Sequence, residues 1–154
     1  EYGWQERYYT KLFDIDRANK QLVKTICVNY LEAIEWTFKY YIGTCPDWRW
    51  SYNYNYTPLF QDLVNHIPYF STNFIKENIH LPVTQNTQLS YVLPKESLGL
   101  LSPKIKKMLL EKHSEWYSDN CEFVWCFCKY FWECHVKLPH INLTTLEKEI
   151  TSIS

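Results

Sequence analysis

The sequence predicts a mainly α-helical fold with long, irregular, aromatic-rich loops. Three observations predict it. Apolar residues recur at helical spacing over residues 16–42, and Ser102-Pro103 is a typical helix start before residues 103–113. Aromatic residues make up 18% of the chain whereas glycine occupies only 3 positions, which favours a packed body over a disordered one. We therefore expect a single helical segment over residues 1–154.

The longest predicted helix covers residues 16–42 and ends near Gly43, before Pro46. This helix is expected to turn one apolar face into the core, with Ile34 and Phe38 buried. The residues of that face are Val23, Ile26, Cys27, Tyr30, Leu31, Ile34 and Phe38. The stretch 3–9 before it can begin a further helix.

Shorter elements follow the longest helix. A short amphipathic turn is expected at 59–65 and an irregular stretch at 67–86, where prolines and asparagines interrupt the periodicity. In the predicted helix at 103–113, Ser102 is the N-cap and Pro103 is the first helical residue.

The aromatic region at residues 121–136 fits two alternatives. Segments 121–128 and 129–136 either pair as a small β-hairpin or form a helix, because short apolar runs do not distinguish the two. After this region, Thr144 and Glu147 have the spacing of a capping box, which predicts a short terminal helix.

Charge and hydropathy argue against several classes of protein. The chain has 16 basic and 17 acidic residues, so no strong electrostatic attraction to a polyanion is expected. No apolar run approaches the roughly 18 residues of a membrane span, and neither a signal peptide nor a membrane partner is expected. The six cysteines are interpreted as reduced thiols, which predicts an intracellular protein, cytoplasmic or nuclear.

The most distinctive segment is residues 44–58, a run interrupted by Asn and Pro, with Trp48, Arg49 and Trp50 near its start. Flat rings beside a guanidinium group suit stacking on nucleobases. The alternative is an aromatic loop that fills space between helices. Composition alone favours this alternative, because buried Tyr and Trp mainly supply packing.

Residue types that could support catalysis or bind metal are present but not suitably spaced. Cys121, Cys126, Cys128 and Cys134 lack the C-x2-C spacing of a zinc knuckle, and aromatic residues are interleaved with them. The sequence has no nucleophile elbow and no nucleotide-binding glycine motif, and its acidic residues are scattered. We therefore assign no catalytic residue, no metal site and no cofactor to this chain.

Five motifs along most of the chain have the order and spacing of motifs in one known family. Residues 3–13 are similar to that family's G-W-K-x-R-Y-Y-x-x-K-F opening, and residues 30–36 to its Y-x-E-G-x-x-W helix. The run at 48–58 is similar to W-x-W-Y-Y-P-Y-H-Y-A-P. Residues 88–103 resemble Q-L-x-x-V-L-P-x-x-S-x-x-L-L-P, and residues 132–139 resemble W-x-x-V-x-L-L-P. Together these motifs resemble the XRN family of 5′→3′ exoribonucleases. By this resemblance the chain is the C-terminal part of the family's conserved catalytic region.

Departures from the family pattern indicate a divergent member. Asn55 replaces the family's His in the aromatic signature, Asn53 replaces the Pro before it, and Ala33 replaces the usual helix Gly. Residues 126–129 stand where an Asn-Gly-Lys turn is expected, whereas Asp62 matches the acid that follows the signature. The usage of Asn, Lys and Tyr is consistent with a viral origin or with an AT-rich genome.

The resemblance implies a segment of a larger α/β nuclease that degrades 5′-monophosphorylated RNA. The family's Mg²⁺-binding acids and 5′-phosphate pocket belong to an upstream catalytic half, which is absent from these 154 residues. Mg²⁺ is therefore expected in that half, and the implied partners are that half and single-stranded RNA. The isolated chain is expected to be inactive, as a fragment or one half of a split enzyme.

The resemblance also implies roles for three residues of the aromatic run. Trp50 is expected to stack on the first base of the RNA, with Trp48 as the second choice. Arg49 is expected to contact a phosphate, and the alternative, which the sequence favours equally, is an exposed loop charge. The alternative function is a non-catalytic interaction or virion scaffold protein that retains the helical fold and has lost the nuclease.

Overall fold

The computed structural model describes residues 2–78 and 80–153. They are mainly helical with a small two-stranded antiparallel sheet, which confirms the predicted fold class. The chain divides into two compact units, Glu1–Pro82 and Val83–Ser154, each with a hydrophobic core of its own. The expectation that residues 1–154 form a single helical segment stays a prediction. Of the helices in the described ranges, none combines the length and the apolar character needed to cross a membrane.

The first unit contains α1 (Trp4–Leu12), α2 (Lys20–Tyr41) and α3 (Phe60–Val64). The longest predicted helix is confirmed as α2. It begins later than predicted because the Asn19 side chain accepts a hydrogen bond from the Leu22 N–H and caps the helix there. Gly43 follows its end with a φ of 101°, the left-handed conformation that glycine adopts readily after a helix.

The core of the first unit uses only part of the predicted apolar face of α2. Val23, Ile26, Cys27 and Leu31 are buried together with Tyr9 of α1 and Leu63 of α3. The expectation that Ile34 and Phe38 are buried is wrong, since their exposed fractions are 49% and 64%. The reason is that the buried cluster ends at Leu31, so the last turns of α2 extend beyond it.

The second unit contains α4 (Gln85–Val92), α5 (Pro103–Lys112) and α6 (Leu143–Ile153), with 3₁₀ helices at Lys95–Leu100, Ser114–Tyr117 and Phe131–Glu133. The predicted start of α5 is confirmed, because the Ser102 hydroxyl accepts a hydrogen bond from the Ile105 N–H and Pro103 is the first helical residue. The buried core residues are Leu98, Leu101, Ile105, Met108, Leu109, Tyr117, Leu146 and Ile150.

The aromatic region of the second unit is a β-hairpin. Strands β1 (Glu122–Val124) and β2 (His135–Lys137) pair antiparallel, with Phe123 opposite Val136. This decides between the two alternatives that the sequence left open.

The terminal helix is confirmed, but its predicted cap is wrong. The Asn142 side chain accepts the Thr145 N–H at 3.0 Å, so the helix begins at Leu143 rather than after Thr144. Asn142 is as competent a cap as Thr144, and the local sequence allows either.

Candidate nucleic-acid interface

The candidate site is built on the exposed end of α2. Trp36 and Tyr40 are one helical turn apart, and their rings stack with centroids 5.2 Å apart and planes 7° apart. Trp50 packs on Trp36 from the aromatic loop, at 6.2 Å and 21°. The result is a layer of three rings that joins the helix to the loop.

Trp48 lies at the edge of this layer. Its ring meets Tyr40 edge-on, at 6.1 Å and 89°, and its exposed fraction is 52%. Trp50 is only half-buried, although it packs on Trp36. Both tryptophans singled out in the sequence therefore keep some surface accessible, and Trp48 is the more exposed of the two.

Buried Asp47 holds the loop in place. Its carboxylate accepts the Arg49 N–H at 2.8 Å and lies 3.1 Å from His80 Nδ1, while its carbonyl oxygen accepts a hydrogen bond from Trp36 Nε1 at 2.8 Å. Arg49 is half-buried, and its Nε donates to the Leu81 carbonyl at 3.0 Å. These contacts fix the backbone on both sides of Trp48.

The tyrosines that follow serve packing rather than presentation. The Tyr52 hydroxyl donates to the Tyr56 carbonyl at 2.7 Å, and the Tyr52 ring meets Tyr30 of α2 and Tyr54 edge-on. Burial raises the pKa of the Tyr52 hydroxyl. The tyrosines of the aromatic run therefore fit the space-filling interpretation, whereas base stacking by Trp48 and Trp50 stays a prediction.

Asp62, the acid picked out by its place after the aromatic run, is buried in an ion pair. Arg17 binds it through both Nη2 and Nε, at 3.0 and 3.2 Å. Hydrogen bonding to Asp62 raises the pKa of the Arg17 guanidinium. This pair joins the segment before α2 to α3, the helix that follows the aromatic run.

Nothing in the described ranges 2–78 and 80–153 brings together three or more His, Cys, Asp or Glu side chains that could hold a metal ion. The six cysteines are free thiols. In the hairpin, Cys128 Sγ lies 3.2 Å from the Glu133 carbonyl oxygen.

Sequence reasoning missed three residues of the site: Trp36, Tyr40 and His80. The i, i+4 spacing of Trp36 and Tyr40 was a usable signal, since it places both rings on one helix face. No local pattern indicates His80, because its partner Asp47 is 33 residues away.

Comparison with known proteins identifies the family. The Xrn1 helical domain matches residues 1–154, the whole chain. The chain belongs to the XRN family. The 5′-3′ exoribonuclease 2 of Gallus gallus is 26% identical over 99% of this chain and 16% of its own length. The enzyme of the same name from Neurospora crassa is 31% identical over 95% of this chain and 14% of its own length.

A third relative is named exoribonuclease 1 rather than exoribonuclease 2. The 5′-3′ exoribonuclease 1 of Saccharomyces cerevisiae is 27% identical over 72% of this chain and 7% of its own length. This XRN chain therefore spans less than a fifth of the length of these relatives. Its position within a catalytic region and its viral origin stay predictions.

Proposed function

We propose that this XRN chain lines the RNA path of a 5′→3′ exoribonuclease and that Trp48 and Trp50 supply base stacking there. The observation that carries the proposal is the aromatic layer of Trp50, Trp36 and Tyr40, with Trp48 exposed at its edge. The relatives' name, 5′-3′ exoribonuclease, supports RNA as the substrate, and the resemblance to the XRN family implies that the RNA carries a 5′-monophosphate.

Stacking fits an enzyme that degrades RNA of any sequence. Every base has an aromatic face, so a ring holds each nucleotide in turn with an energy of about 1–3 kcal/mol per base. The rings of this layer are held by α2 and by the hydrogen bonds of Asp47, so little ordering is needed when a base arrives. The chain's balanced charge also favours stacking over electrostatic attraction as the source of affinity.

Arg49 is proposed to contact a phosphate next to the stacked base. Its Nε donates to the Leu81 carbonyl at 3.0 Å, and this bond helps to fix the position of the guanidinium. A guanidinium presents its N–H donors in a planar fork that matches the geometry of phosphate oxygens.

Hydrolysis itself is assigned to the rest of the protein. The part that matches this chain is only 16% of one relative and 14% of the other. We propose that the upstream catalytic half supplies Mg²⁺ and the 5′-phosphate pocket. The isolated chain should then release no mononucleotides from 5′-monophosphorylated RNA in the presence of Mg²⁺. Release that EDTA abolishes would contradict this assignment.

The exposed end of α2 has an apolar surface on which the upstream catalytic half could pack. Ile34, Phe38 and Tyr41 are all exposed and line one apolar groove with Tyr30, Ala33 and Thr37. An exposed apolar strip on a helix is typical of an interface. We propose that the upstream half covers it, since most of the relatives' length lies outside this chain.

The test is a set of single substitutions in the full-length enzyme. Trp48→Ala and Trp50→Ala should each slow degradation of unstructured 5′-monophosphorylated RNA, on the order of 5- to 100-fold at limiting RNA. Trp4→Ala, which removes another exposed tryptophan from α1, is the matched control and should leave the rate unchanged.

Melting temperatures separate stacking from packing. If Trp50→Ala lowers the melting temperature but the rate per folded molecule is unchanged, Trp50 is a packing residue and Trp48 alone remains as the stacking ring. If neither substitution changes the rate, the proposal is wrong. A full-length protein that folds and binds RNA without degrading it would instead favour the scaffold alternative.

A further inference from the structure

A small cavity borders the exposed ring of Trp48. Its volume is about 280 Å³, and its wall includes Trp48, Asn78, His80 and Glu77. An aromatic face and polar side chains thus surround the same space. The proposed stacking function makes no use of these polar groups.

Three hydrogen bonds hold the chain around His80 against the aromatic loop. The Asn78 N–H donates to the Pro46 carbonyl at 2.8 Å. His80 Nδ1 lies 3.1 Å from the Asp47 carboxylate. Arg49 Nε donates to the Leu81 carbonyl at 3.0 Å. Trp48 lies within the segment that these bonds hold. The position of His80 relative to Trp48 is therefore fixed by backbone as well as side-chain contacts.

Asp47 also determines which nitrogen of His80 carries the proton. An ionised carboxylate only accepts hydrogen bonds, so Nδ1 must be the N–H that faces it. In the neutral imidazole, Nε2 then has a free lone pair and is an acceptor. Among the residues that the structure describes, Asp47 is the only hydrogen-bond partner of this ring, and the His80 side chain is half-exposed.

The charge of the cavity favours a sugar hydroxyl over a phosphate. Glu77 is part of the wall, and its carboxylate repels a phosphate while tolerating a hydroxyl donor. Lys39 lies 3.7 Å from Glu77 and offsets only part of that charge, because it also pairs with Glu35 at 2.9 Å.

We propose that His80 Nε2 accepts a hydrogen bond from the 2′-hydroxyl of the nucleotide whose base stacks on Trp48, so that His80 helps to select RNA over DNA. The inference rests on the proposed stacking function and adds a specificity residue to it. The 2′-hydroxyl is the donor that RNA has and DNA lacks. A base stacked on the Trp48 ring carries its own ribose beside that ring, next to the cavity that Trp48 and His80 both line.

The experiment compares three ligands on the 154-residue chain by fluorescence anisotropy. The ligands are a 5′-monophosphorylated oligouridylate, its 2′-O-methyl form and the DNA of the same sequence. The wild-type chain should bind the RNA about two- to tenfold more tightly than the other two, the range of one hydrogen bond. His80→Ala should lose this preference by weakening RNA binding alone, and His80→Gln, whose side-chain oxygen can accept, should restore part of it.

Controls separate the possible failures. His140→Ala, an exposed histidine in the second unit, should bind all three ligands as the wild type does. Equal weakening of RNA and DNA binding by His80→Ala would mean that His80 only supports the loop. Unchanged preference for RNA in this variant would mean that His80 does not contact the 2′-hydroxyl. Either result overturns the inference. If Trp48→Ala still weakens binding in those cases, the stacking proposal survives without it. If the wild-type chain binds none of the ligands, both proposals fail.

Discussion

At the residue scale, the ion pair between Arg17 and Asp62 is the main buried charge interaction of the first unit. The exposed fractions of the two side chains are 16% and 11%, and the contact is two-pronged. Removing one partner of a buried pair leaves the other charge without compensation, which is more costly than losing an exposed pair. Glu6 also reaches Arg17, at 3.3 Å, but its own side chain is largely exposed.

Asp62→Ala should therefore lower the free energy of unfolding by about 3 kcal/mol. Glu6→Ala removes the exposed partner of the same arginine and should cost less than about 1 kcal/mol. Urea denaturation of the two variants measures both values. If both variants lose the same unfolding free energy, Asp62 is no more important than Glu6 for compensating the charge of Arg17.

Single residues of the site could be predicted only where they stand in a recognisable run. Trp48 and Trp50 were found in this way, and in the structure Trp50 is part of the aromatic layer while Trp48 lies at its edge. Asp62 was found by its position but not by its role, since the arginine it binds is 45 residues away. His80 has the same difficulty, because long-range pairing leaves no periodic signal in the sequence.

At the element scale, α2 has two halves with different surroundings. Ile26 is buried in the first unit's core, whereas Phe38 on the last turns is exposed. Helical periodicity predicted both as one apolar face. Periodicity identifies an apolar face but does not specify whether residues of this chain or of another part of the enzyme cover it.

Phe38→Ala should thus cost less than about 1 kcal/mol in the isolated chain, as is usual for an exposed position. Ile26→Ala should cost about 2–5 kcal/mol because it leaves a cavity in the core. Both follow from urea denaturation of the isolated chain. In the full-length enzyme Phe38→Ala should become more costly, and an equally small cost there would argue against a partner on this face.

A second element-scale interaction links the end of α5 to α6. His113 follows α5, stacks on Trp116 at 3.7 Å and lies 2.6 Å from a Glu149 carboxylate oxygen. The hydrogen bond from His113 lowers the pKa of Glu149, with Lys112 adding to the effect. The folded state therefore favours ionised Glu149 more than the unfolded state does.

The sign of the pH dependence follows from this shift. The stabilisation is present above the ordinary pKa of a glutamate and is lost as pH falls through the lower pKa of the folded state. Between pH 6 and pH 3, the unfolding free energy of Glu149→Gln should fall less steeply than that of the wild type. Glu111→Gln, which alters an exposed carboxylate on α5, should follow the wild-type curve. Parallel curves for all three proteins would contradict a role for Glu149.

The elements differ in how well the sequence predicted them. The cap of α5 was predicted correctly because Ser is favoured at the N-cap and Pro at the first helical position, and the two stand next to each other here. The cap of α6 was not, because Asn142 and Thr144 are both suitable and only packing of the helix chooses between them. The hairpin was undecided for a related reason: its pairing, Phe123 with Val136, spans a long aromatic connection that has no period of its own.

At the scale of the whole molecule, net charge constrains how RNA can be held. With 16 basic and 17 acidic residues, this chain cannot depend on a general attraction to phosphates. Stacking on the aromatic layer is largely independent of salt, whereas each phosphate contact to single-stranded nucleic acid changes the slope of log K against log salt by about 0.7. The proposed interface contains one such contact, Arg49.

We therefore expect oligouridylate binding by the isolated chain to show a shallow salt slope, close to −0.7. Arg49→Gln should bring the slope near zero while much of the affinity at high salt remains, since the rings are untouched. Lys107→Gln, which removes an exposed charge from α5, should leave the slope unchanged. Melting temperatures are needed alongside, because Arg49 also bonds the Leu81 carbonyl. A steep wild-type slope, or equal slopes for the two variants, would show that RNA is held by diffuse charge and not by the tryptophans with a single phosphate contact.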